Sequence, residues 1–288
     1  MNAHSQSPQR WHPIVKDGEL KIYRDGCNRM VVLNRPRNGN ALTTAMVTRL
    51  TNFFLESARD TTISRIVVTA EGRFFCTGMD LGKSTTAVNQ GKDVSSKEFR
   101  MFVDLFEAIQ NSPQVTIAVI SGPCYAGGIG LAFSCDIRLA VATASVTLSE
   151  VKLGLCPAII SQYLVREWGT AFTREAMLSG RTISMSELKA IGAVHGIATD
   201  AASLQYLTAS YLTNLRSCAP KASAMCKGAV RTAYTTSDQK DKNLVIKEIF
   251  MSMMEDGSES SIGIKNFQTK RRRLDWDSYY GSKPQSKL

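Results

Sequence analysis

Two glycine-containing segments carry the residue types that could bind a negative charge. The first is residues 74–81, with the sequence FFCTGMDL, and the second is residues 121–132, with the sequence SGPCYAGGIGLA. Each places small residues directly after a stretch that reads as a strand. A strand that ends in a glycine-rich turn and then opens a helix leaves backbone amides unpaired, and such amides can hold an anion. Both segments are therefore candidates for an anion or oxyanion site.

The known glycine motifs for nucleotides do not fit these segments. A phosphate-binding P-loop that ends at Gly82-Lys83-Ser84 needs glycine at position 77, where this chain has Thr77. The dinucleotide fingerprint that starts at Gly128 needs a small residue at position 133, where this chain has Phe133. A G-x-S-x-G nucleophile motif is also absent, and no histidine lies near a candidate serine or cysteine nucleophile.

Three motifs, taken in order, resemble the enoyl-CoA hydratase/isomerase (crotonase) family. They are F-x-x-G-x-D at 75–80, G-x-x-x-x-G-G-x-G-L-A-x-x-C-D at 122–136, and S-E-V-K-L-G-L-x-P at 149–157. The resemblance extends from Asn34-Arg35-Pro36 to the C-terminal helices. It implies an α/β fold with a crotonase-like ββα spiral core, and a C-terminal helical subdomain used for oligomerisation as a homotrimer or a dimer of trimers.

The resemblance also implies roles for individual residues. The backbone amides of Met79 and Gly127 would form an oxyanion hole that holds the thioester oxygen of an acyl-CoA as it becomes an enolate. Glycine would be needed at 127 because a Cβ would crowd the thioester. Glu150 would be the catalytic acid/base, and Asp80 would orient the loop that presents Met79.

Further positions match the family's contacts with coenzyme A. The segment Met79-Asp80-Leu81-Gly82 would lie along the CoA. Phe267 and Lys270 would cap the CoA of a neighbouring subunit, with Lys270 meeting phosphate. Coenzyme A belongs to the substrate, so no separate cofactor and no metal is expected. Asp136, also at a family position, is interpreted as structural.

The resemblance leaves the reaction open. The best-known hydratases carry two glutamates, and Gly130 stands where the first would be expected. One carboxylate suffices to move a proton between C2 and C4 of a 3-enoyl-CoA. The motif at 149–157 nevertheless looks like that of branched-chain hydratases, and a single glutamate could activate water if a backbone group or Tyr125 helped to position it. Isomerase and hydratase both remain candidates, in fatty-acid or branched-chain acyl-CoA metabolism.

Two other functions are compatible with this fold. One is acyl-CoA thioester hydrolysis, in which Glu150 would act at the carbonyl. The other is a non-catalytic RNA-binding homologue, suggested by a formal charge of +10. Because no aromatic and basic motif of an RNA-binding strand is present, nucleic acid is not an expected partner.

The elements that must position these residues follow an alternating pattern. Residues 30–33, 66–69, 115–120 and 137–141 read as buried strands. Residues 41–59 and 98–110 have apolar stripes at helical spacing, while residues 83–97 are polar and aperiodic and read as a mobile loop. Ser184-x-x-Glu187 predicts a capping box that opens a helix.

Past about residue 215 only helix-forming stretches appear, at 203–216, 220–234, 240–255 and 259–273. We therefore predict an acyl-CoA-binding core at 11–215 and a helical subdomain at 216–288.

Composition places the chain among soluble globular proteins, with 43% hydrophobic and 21% charged residues. Seven cysteines without a C-x-x-C pair and three histidines argue against a zinc site or a disulfide framework. Neither a signal peptide nor a membrane span is expected. The final tripeptide Ser286-Lys287-Leu288 matches the signal that the peroxisomal import receptor reads, which predicts a peroxisome or a related organelle such as the glycosome.

Overall fold

The computed structural model describes residues 11–80, 92–270 and 273–281. The strands are β1 (His12–Val15), β2 (Leu20–Asp25), β3 (Asn28–Leu33), β4 (Arg65–Ala70), β5 (Val115–Ile120), β6 (Cys124–Tyr125), β7 (Ile137–Val141), β8 (Ser145–Thr147), β9 (Thr182–Ser184) and β10 (Gly196–Ala198). The helices are α1 (Thr44–Arg59), α2 (Lys92–Gln110), α3 (Gly127–Phe133), α4 (Ala158–Trp168), α5 (Thr170–Ser179), α6 (Met185–Ala190), α7 (Ala201–Leu215), α8 (Pro220–Thr235), α9 (Gln239–Met253), α10 (Glu259–Lys270) and α11 (Trp276–Gly281).

The strands form two sheets. The larger has seven strands in the order β1-β2-β3-β4-β5-β7-β10, and the smaller has three in the order β6-β8-β9. In the larger sheet β1, β2 and β3 are antiparallel, whereas β3 pairs in parallel with β4, and β7 in parallel with both β5 and β10. Parallel strands covered on both faces read as nearly continuous apolar runs, which is why β3, β4, β5 and β7 could be predicted.

The remaining six strands were not predicted from the sequence, for two reasons. β1 and β2 are largely exposed or half-buried, so they lack an apolar run. The strands β6, β8, β9 and β10 are only two or three residues long. So short a strand has no periodicity of its own and exists because of its neighbours.

Helix α1 begins later than the apolar stripe predicts. Thr43 is its N-cap, because the Thr43 Oγ1 accepts a hydrogen bond from Met46 N at 3.1 Å. The apolar side chains of Leu42 and Ala41 are buried but lie before the cap. Burial in the core therefore extends beyond the helix itself.

Helix α2 corrects the predicted loop at 83–97. The helix begins at Lys92, six residues before the predicted start at Glu98. The sequence of its first turns is mostly polar, so the apolar stripe that begins at Phe99 gave no sign of them. Residues 83–91 of the predicted loop lie outside the described residues.

The predicted capping box at Ser184 is confirmed. Ser184 Oγ accepts from Glu187 N at 3.2 Å, and a Glu187 carboxylate oxygen accepts from Ser184 N at 2.9 Å. These bonds satisfy two donors at the start of α6.

The structure divides into two compact units. The first comprises the described residues up to Ser112 and Thr116–Ala209, and the second comprises Pro113–Val115 and the described residues from Ser210 onwards. Within the described part of the chain, no strand follows β10. No described helix is both long enough and apolar enough to cross a membrane.

In the second unit, a buried carboxylate and an aromatic cluster join three helices. The carboxylate oxygens of Glu259 accept from Lys221 N and Ala222 N in the first turn of α8, and from Tyr280 Oη at 2.7 Å. Trp276 is buried and its ring contacts that of Tyr280. Burial raises the pKa of Tyr280, and the Glu259 bond raises it further. The helices α8, α10 and α11 are thereby joined.

Candidate active site

Three parallel chain segments bring the candidate residues together. In the small sheet β6 pairs in parallel with β8, with Cys124 opposite Val146. On its other edge β6 meets the segment before Met79, through a parallel bridge between Cys76 and Cys124. Because all three segments run in one direction, their continuations leave at the same end. Position 79 and position 127 each lie three residues past the row of residues 76, 124 and 146, and Glu150 lies four past it.

The Met79 amide points away from the strand-like segment on its other side. Leu42 N donates to Gly78 O at 2.7 Å, and Asp80 N donates to Leu42 O at 3.0 Å. Successive amides of extended backbone alternate in direction, so the Met79 N–H faces away from Leu42. Among the described residues, none accepts a hydrogen bond from the Met79 N–H. It is available to an incoming acceptor.

Gly78 allows the two glycine segments to approach each other. Its φ is +92°, and a Cβ at this position would lie 2.9 Å from Ala126 Cβ and 3.1 Å from Gly127 N. Glycine is therefore required here both by conformation and by space. The close approach places the Met79 amide beside Gly127.

Gly127 begins helix α3, and the backbone before it is strained. Ala126 has φ +47° and ψ −126°, a backbone conformation that residues other than glycine rarely adopt. Ala126 O accepts hydrogen bonds from Ile129 N and Gly130 N. The Gly127 N–H precedes these bonds in the first turn and has no acceptor among the described residues.

Nothing in the described structure requires glycine at 127. Its φ is not positive, and a Cβ would meet Gly78 Cα at 3.7 Å and both Met79 N and Phe102 Cε1 at 3.8 Å. These are ordinary van der Waals distances. A methyl group at 127 would, however, lie 3.8 Å from Met79 N, one of the two amides expected to bind the thioester oxygen.

Glu150 lies in the 3₁₀ helix Ser149–Leu153, directly after β8. Its Oε2 atom is buried and has no hydrogen-bond partner among the described residues. Burial raises the pKa of the Glu150 carboxyl above its ordinary value, and a bond to its own backbone amide opposes this. Since buried polar atoms are nearly always paired, an unpaired carboxylate oxygen indicates a functional group rather than a structural one.

Position 130 is closed to any side chain. A Cβ on Gly130 would lie 2.4 Å from Ile160 Cγ2 and 2.7 Å from Phe106 Cζ. The place where the first glutamate of the best-known hydratases is expected is therefore filled by apolar atoms. Tyr125, suggested as an aid to water binding, is half-buried with its ring 6.3 Å from that of Phe74.

A cavity of about 170 Å³ adjoins the candidate oxyanion site. It is lined by Met79 and Asp80, by the N-cap Thr43 and the first residues of α1, and by Glu98 and Phe102 of α2. Of these lining residues, only Met79 and Asp80 were predicted from the sequence as site residues. Phe102 belongs to the apolar stripe of residues 98–110, and a helical stripe does not distinguish a core ring from one that also borders a cavity.

The other predicted site residues have different outcomes. Asp80 is half-buried and ion-pairs with Arg35, in keeping with an orienting role. Phe267 and Lys270 lie exposed on α10 in the second unit. Leu81 and Gly82 lie outside the described residues. No group of three or more His, Cys, Asp or Glu residues that could hold a metal is found in the described part of the chain.

Asp136 has the structural role that was predicted. Its Oδ2 accepts from both Thr116 N and Thr116 Oγ1 at 2.8 Å. Asp136 N in turn donates to Thr116 Oγ1 at 2.9 Å. These bonds tie the start of β7 to β5.

Comparison with known proteins gives one family. A family profile described as enoyl-CoA hydratase/isomerase matches residues 29–278. The chain is 41% identical over 247 residues to an Alternaria alternata protein named Enoyl-CoA hydratase ACTT6, covering 86% of this chain and 80% of that protein. It is 31% identical over 189 residues to the 2,3-dehydroadipyl-CoA hydratase of Escherichia coli, covering 65% of this chain and 72% of that protein.

Solved structures agree with this result. An enoyl-CoA hydratase/isomerase from Marinobacter aquaeolei matches with a TM-score of 0.82 and 28% identity, covering 90% of this chain and 99% of the other. Pseudomonas aeruginosa AtuE matches with a TM-score of 0.84 and 28% identity, covering 90% and 100%. The predicted α/β crotonase-like fold with C-terminal helices is thereby confirmed.

Proposed function

The chain belongs to the enoyl-CoA hydratase/isomerase family, and on that premise we propose that it binds an enoyl-CoA thioester and moves a proton through an enolate. The amides of Met79 and Gly127 hold the enolate oxygen, and Glu150 is the acid/base. The observation that carries the proposal is the buried Glu150 Oε2, which has no hydrogen-bond partner among the described residues and lies at the same end of the three parallel segments as the amides of Met79 and Gly127.

Double-bond isomerisation is the reaction that this geometry supports best. The Glu150 carboxylate takes a proton from C2 of a 3-enoyl-CoA, and the electrons move onto the thioester oxygen. The two amides stabilise that charge, and one such donor contributes roughly 3 to 4 kcal/mol. The Glu150 carboxyl then returns the proton to C4, which gives the 2-enoyl-CoA. No second carboxylate is needed, which fits the apolar atoms around Gly130.

Hydration is the second candidate, and the printed names of the relatives favour it. In this reaction Glu150 takes a proton from water as the water oxygen attacks C3 of a 2-enoyl-CoA. The same amides hold the enolate, and the Glu150 carboxyl donates the proton to C2. Glu150 would then have to bind the water without a partner carboxylate.

One set of assays separates these reactions. Purified protein is given 2-enoyl- and 3-enoyl-CoAs of several chain lengths and branchings. Isomerisation raises the ultraviolet absorbance of the conjugated thioester, whereas hydration lowers it. Release of free CoA thiol would indicate the hydrolase instead. Salt-dependent RNA binding that acyl-CoA does not displace, without turnover, would contradict an enzymatic role.

The assembly is proposed to be a homotrimer or a dimer of trimers. Helix α9 supports this, because it leaves several large apolar side chains exposed, among them Leu244, Phe250 and Met251. Exposed apolar groups of this kind mark a surface that another protein covers. Phe267 and Lys270 are proposed to meet the CoA bound by a neighbouring copy. A monomer in light scattering at working concentration would contradict both statements.

The location is proposed to be the peroxisome or a related organelle. The support is the terminal tripeptide Ser286-Lys287-Leu288, which lies outside the described residues. A fluorescent protein fused to the N-terminus should give a punctate peroxisomal signal. Deletion of the tripeptide should make that signal diffuse, and an unchanged distribution would contradict the proposal.

A further inference from the structure

We propose that Arg35 is a positioning residue of the oxyanion site, which holds the Met79 amide in the direction that the enolate oxygen requires. The inference rests on the proposed function. It assigns to a residue outside the three motifs a role in turnover that acts through Asp80 and the backbone, without contact between Arg35 and the substrate.

The Arg35 guanidinium is buried and uses all of its nitrogen atoms. Nη2 lies 2.8 Å from Asp80 Oδ2, and Nε lies 3.0 Å from Glu19 Oε1. Nη1 donates to Ala41 O at 2.6 Å. Such a fork fixes several acceptors in one plane, which a point charge cannot do.

Two of these acceptors, Ala41 O and the Asp80 carboxylate, belong to the two segments whose pairing directs the Met79 amide. Thr77 N donates to Gly39 O at 3.0 Å, and Leu42 exchanges bonds with Gly78 and Asp80. Ala41 is in the first segment and Asp80 in the second. The guanidinium therefore joins the two segments immediately beside Met79, in addition to their backbone bonds.

Further hydrogen bonds fix the position of the Arg35 side chain and backbone. Glu19 Oε2 accepts from Thr43 Oγ1 at 2.9 Å, and Thr43 caps helix α1. The Arg35 backbone N–H donates to Asn40 Oδ1 at 2.8 Å. Asn40 Nδ2 donates to Phe74 O at 2.7 Å, which ties this turn to the segment that leads into the site. Arg35 thus has little freedom to follow a displaced Asp80.

The chemical consequence follows from the geometry of an oxyanion hole. Its donors must lie within about 0.5 Å of their productive positions. Removing one donor entirely costs about 10²- to 10³-fold in kcat. A displaced but present Met79 amide should cost less, so we expect a loss of roughly 10- to 100-fold for Arg35→Lys.

The test compares Arg35→Lys with Arg65→Lys. Arg65 is also buried, starts β4, and donates from Nε to Asn28 Oδ1 in β3 at 2.7 Å. For Arg35→Lys we expect kcat to fall while KM for the acyl-CoA stays within about threefold. Arg65→Lys should lower stability but leave kcat per folded molecule unchanged.

A spectroscopic measurement reports on the amide directly. The infrared C=O stretch of a bound acyl-CoA labelled with ¹³C at the thioester shifts to lower frequency when amides hold the oxygen. In Arg35→Lys the stretch should return part of the way towards its frequency in free solution. Asp80→Asn should change it in the same direction, and it serves as the second variant if Arg35→Lys does not fold.

Two results would overturn the inference, and they are distinguishable. If the wild-type protein shifts the stretch and the variants retain both the full shift and full kcat, Arg35 has no positioning role. If wild-type protein binds acyl-CoA without any shift, the proposed oxyanion site is itself wrong, and the inference is lost with it.

Discussion

Positions 130 and 150 have opposite surroundings, although the resemblance to hydratases places a carboxylate at both. At Gly130 the atoms of Ile160 and Phe106 fill the space that any side chain would need. At Glu150 a carboxylate oxygen is buried without a partner among the described residues. The proposed acid/base chemistry would thus be concentrated on Glu150, with apolar side chains where a second carboxylate would stand.

The same contrast recurs within helix α3. Gly127 and Gly130 lie three residues apart, about one turn, yet a Cβ meets only ordinary contacts at 127 and a steric clash at 130. Packing explains Gly130, whereas a Cβ on Gly127 would make only ordinary contacts, one of them with Met79 N at 3.8 Å. Sequence alone presents both as equal members of one glycine-rich motif.

The largest effect is expected for Glu150→Gln. If Glu150 is the only acid/base, its loss should lower kcat by about 10²- to 10⁴-fold on the best enoyl-CoA substrate. Glu56→Gln, at an exposed position on α1, is the matched control and should keep full activity. A Glu150→Gln protein with wild-type turnover would remove the contrast between positions 130 and 150.

The next largest effect is expected for Gly127→Ala. The added methyl group would lie 3.8 Å from Met79 N, where the thioester oxygen is proposed to bind, and should lower kcat/KM by about 10²-fold, similar to the loss of an oxyanion donor. The free energy of unfolding should change by less than about 1 kcal/mol, since Ala favours helix and the new contacts are unstrained. Steady-state kinetics and denaturant unfolding measure the two. Lost stability with unchanged kinetics would show that 127 is a packing glycine.

Gly130→Ala should behave in the opposite way. The methyl group would overlap Ile160 and Phe106, so the free energy of unfolding should fall by about 1 to 3 kcal/mol. Turnover per folded molecule should change less than in Gly127→Ala. In the double variant Gly130→Ala/Ile160→Ala, the free energy of unfolding should fall by less than the sum of the two single losses. The new methyl group at 130 would fill part of the cavity left by Ile160→Ala, and that cavity would relieve the clash. Strict additivity in urea unfolding would mean that the two side chains do not compete for space.

The smallest effect concerns pH and stability. Burial raises the pKa of Glu150 in the folded state above its unfolded value. The contribution of this group to stability is therefore present at low pH and is lost as pH rises through the folded-state pKa. Relative to Glu150→Gln, the wild-type protein should lose a little stability as pH rises above 4.5, the ordinary pKa of a glutamate. A difference that stays constant with pH would indicate a carboxylate that is well solvated.

Several features could be read from local patterns. The strands β3, β4, β5 and β7 are apolar runs in the sequence. The capping box depends only on Ser184 and on Glu187, three residues later. The three motifs led to the family, and so to Glu150 and the two amides. In each case the information lies in neighbouring residues, where helix caps and strand patterns act.

Tertiary structure decided the rest, since pairing between distant segments leaves no local pattern. The two-residue strand β6 has no sequence pattern that predicts a strand. Its pairing nevertheless places residues 79, 127 and 150 at one end of three parallel segments. The closure at Gly130 depends on Ile160 and Phe106, which lie 30 and 24 positions away in the chain. The bond from Arg35 to Asp80 spans 45 positions of the chain, and only folding brings the two ends of that ion pair together.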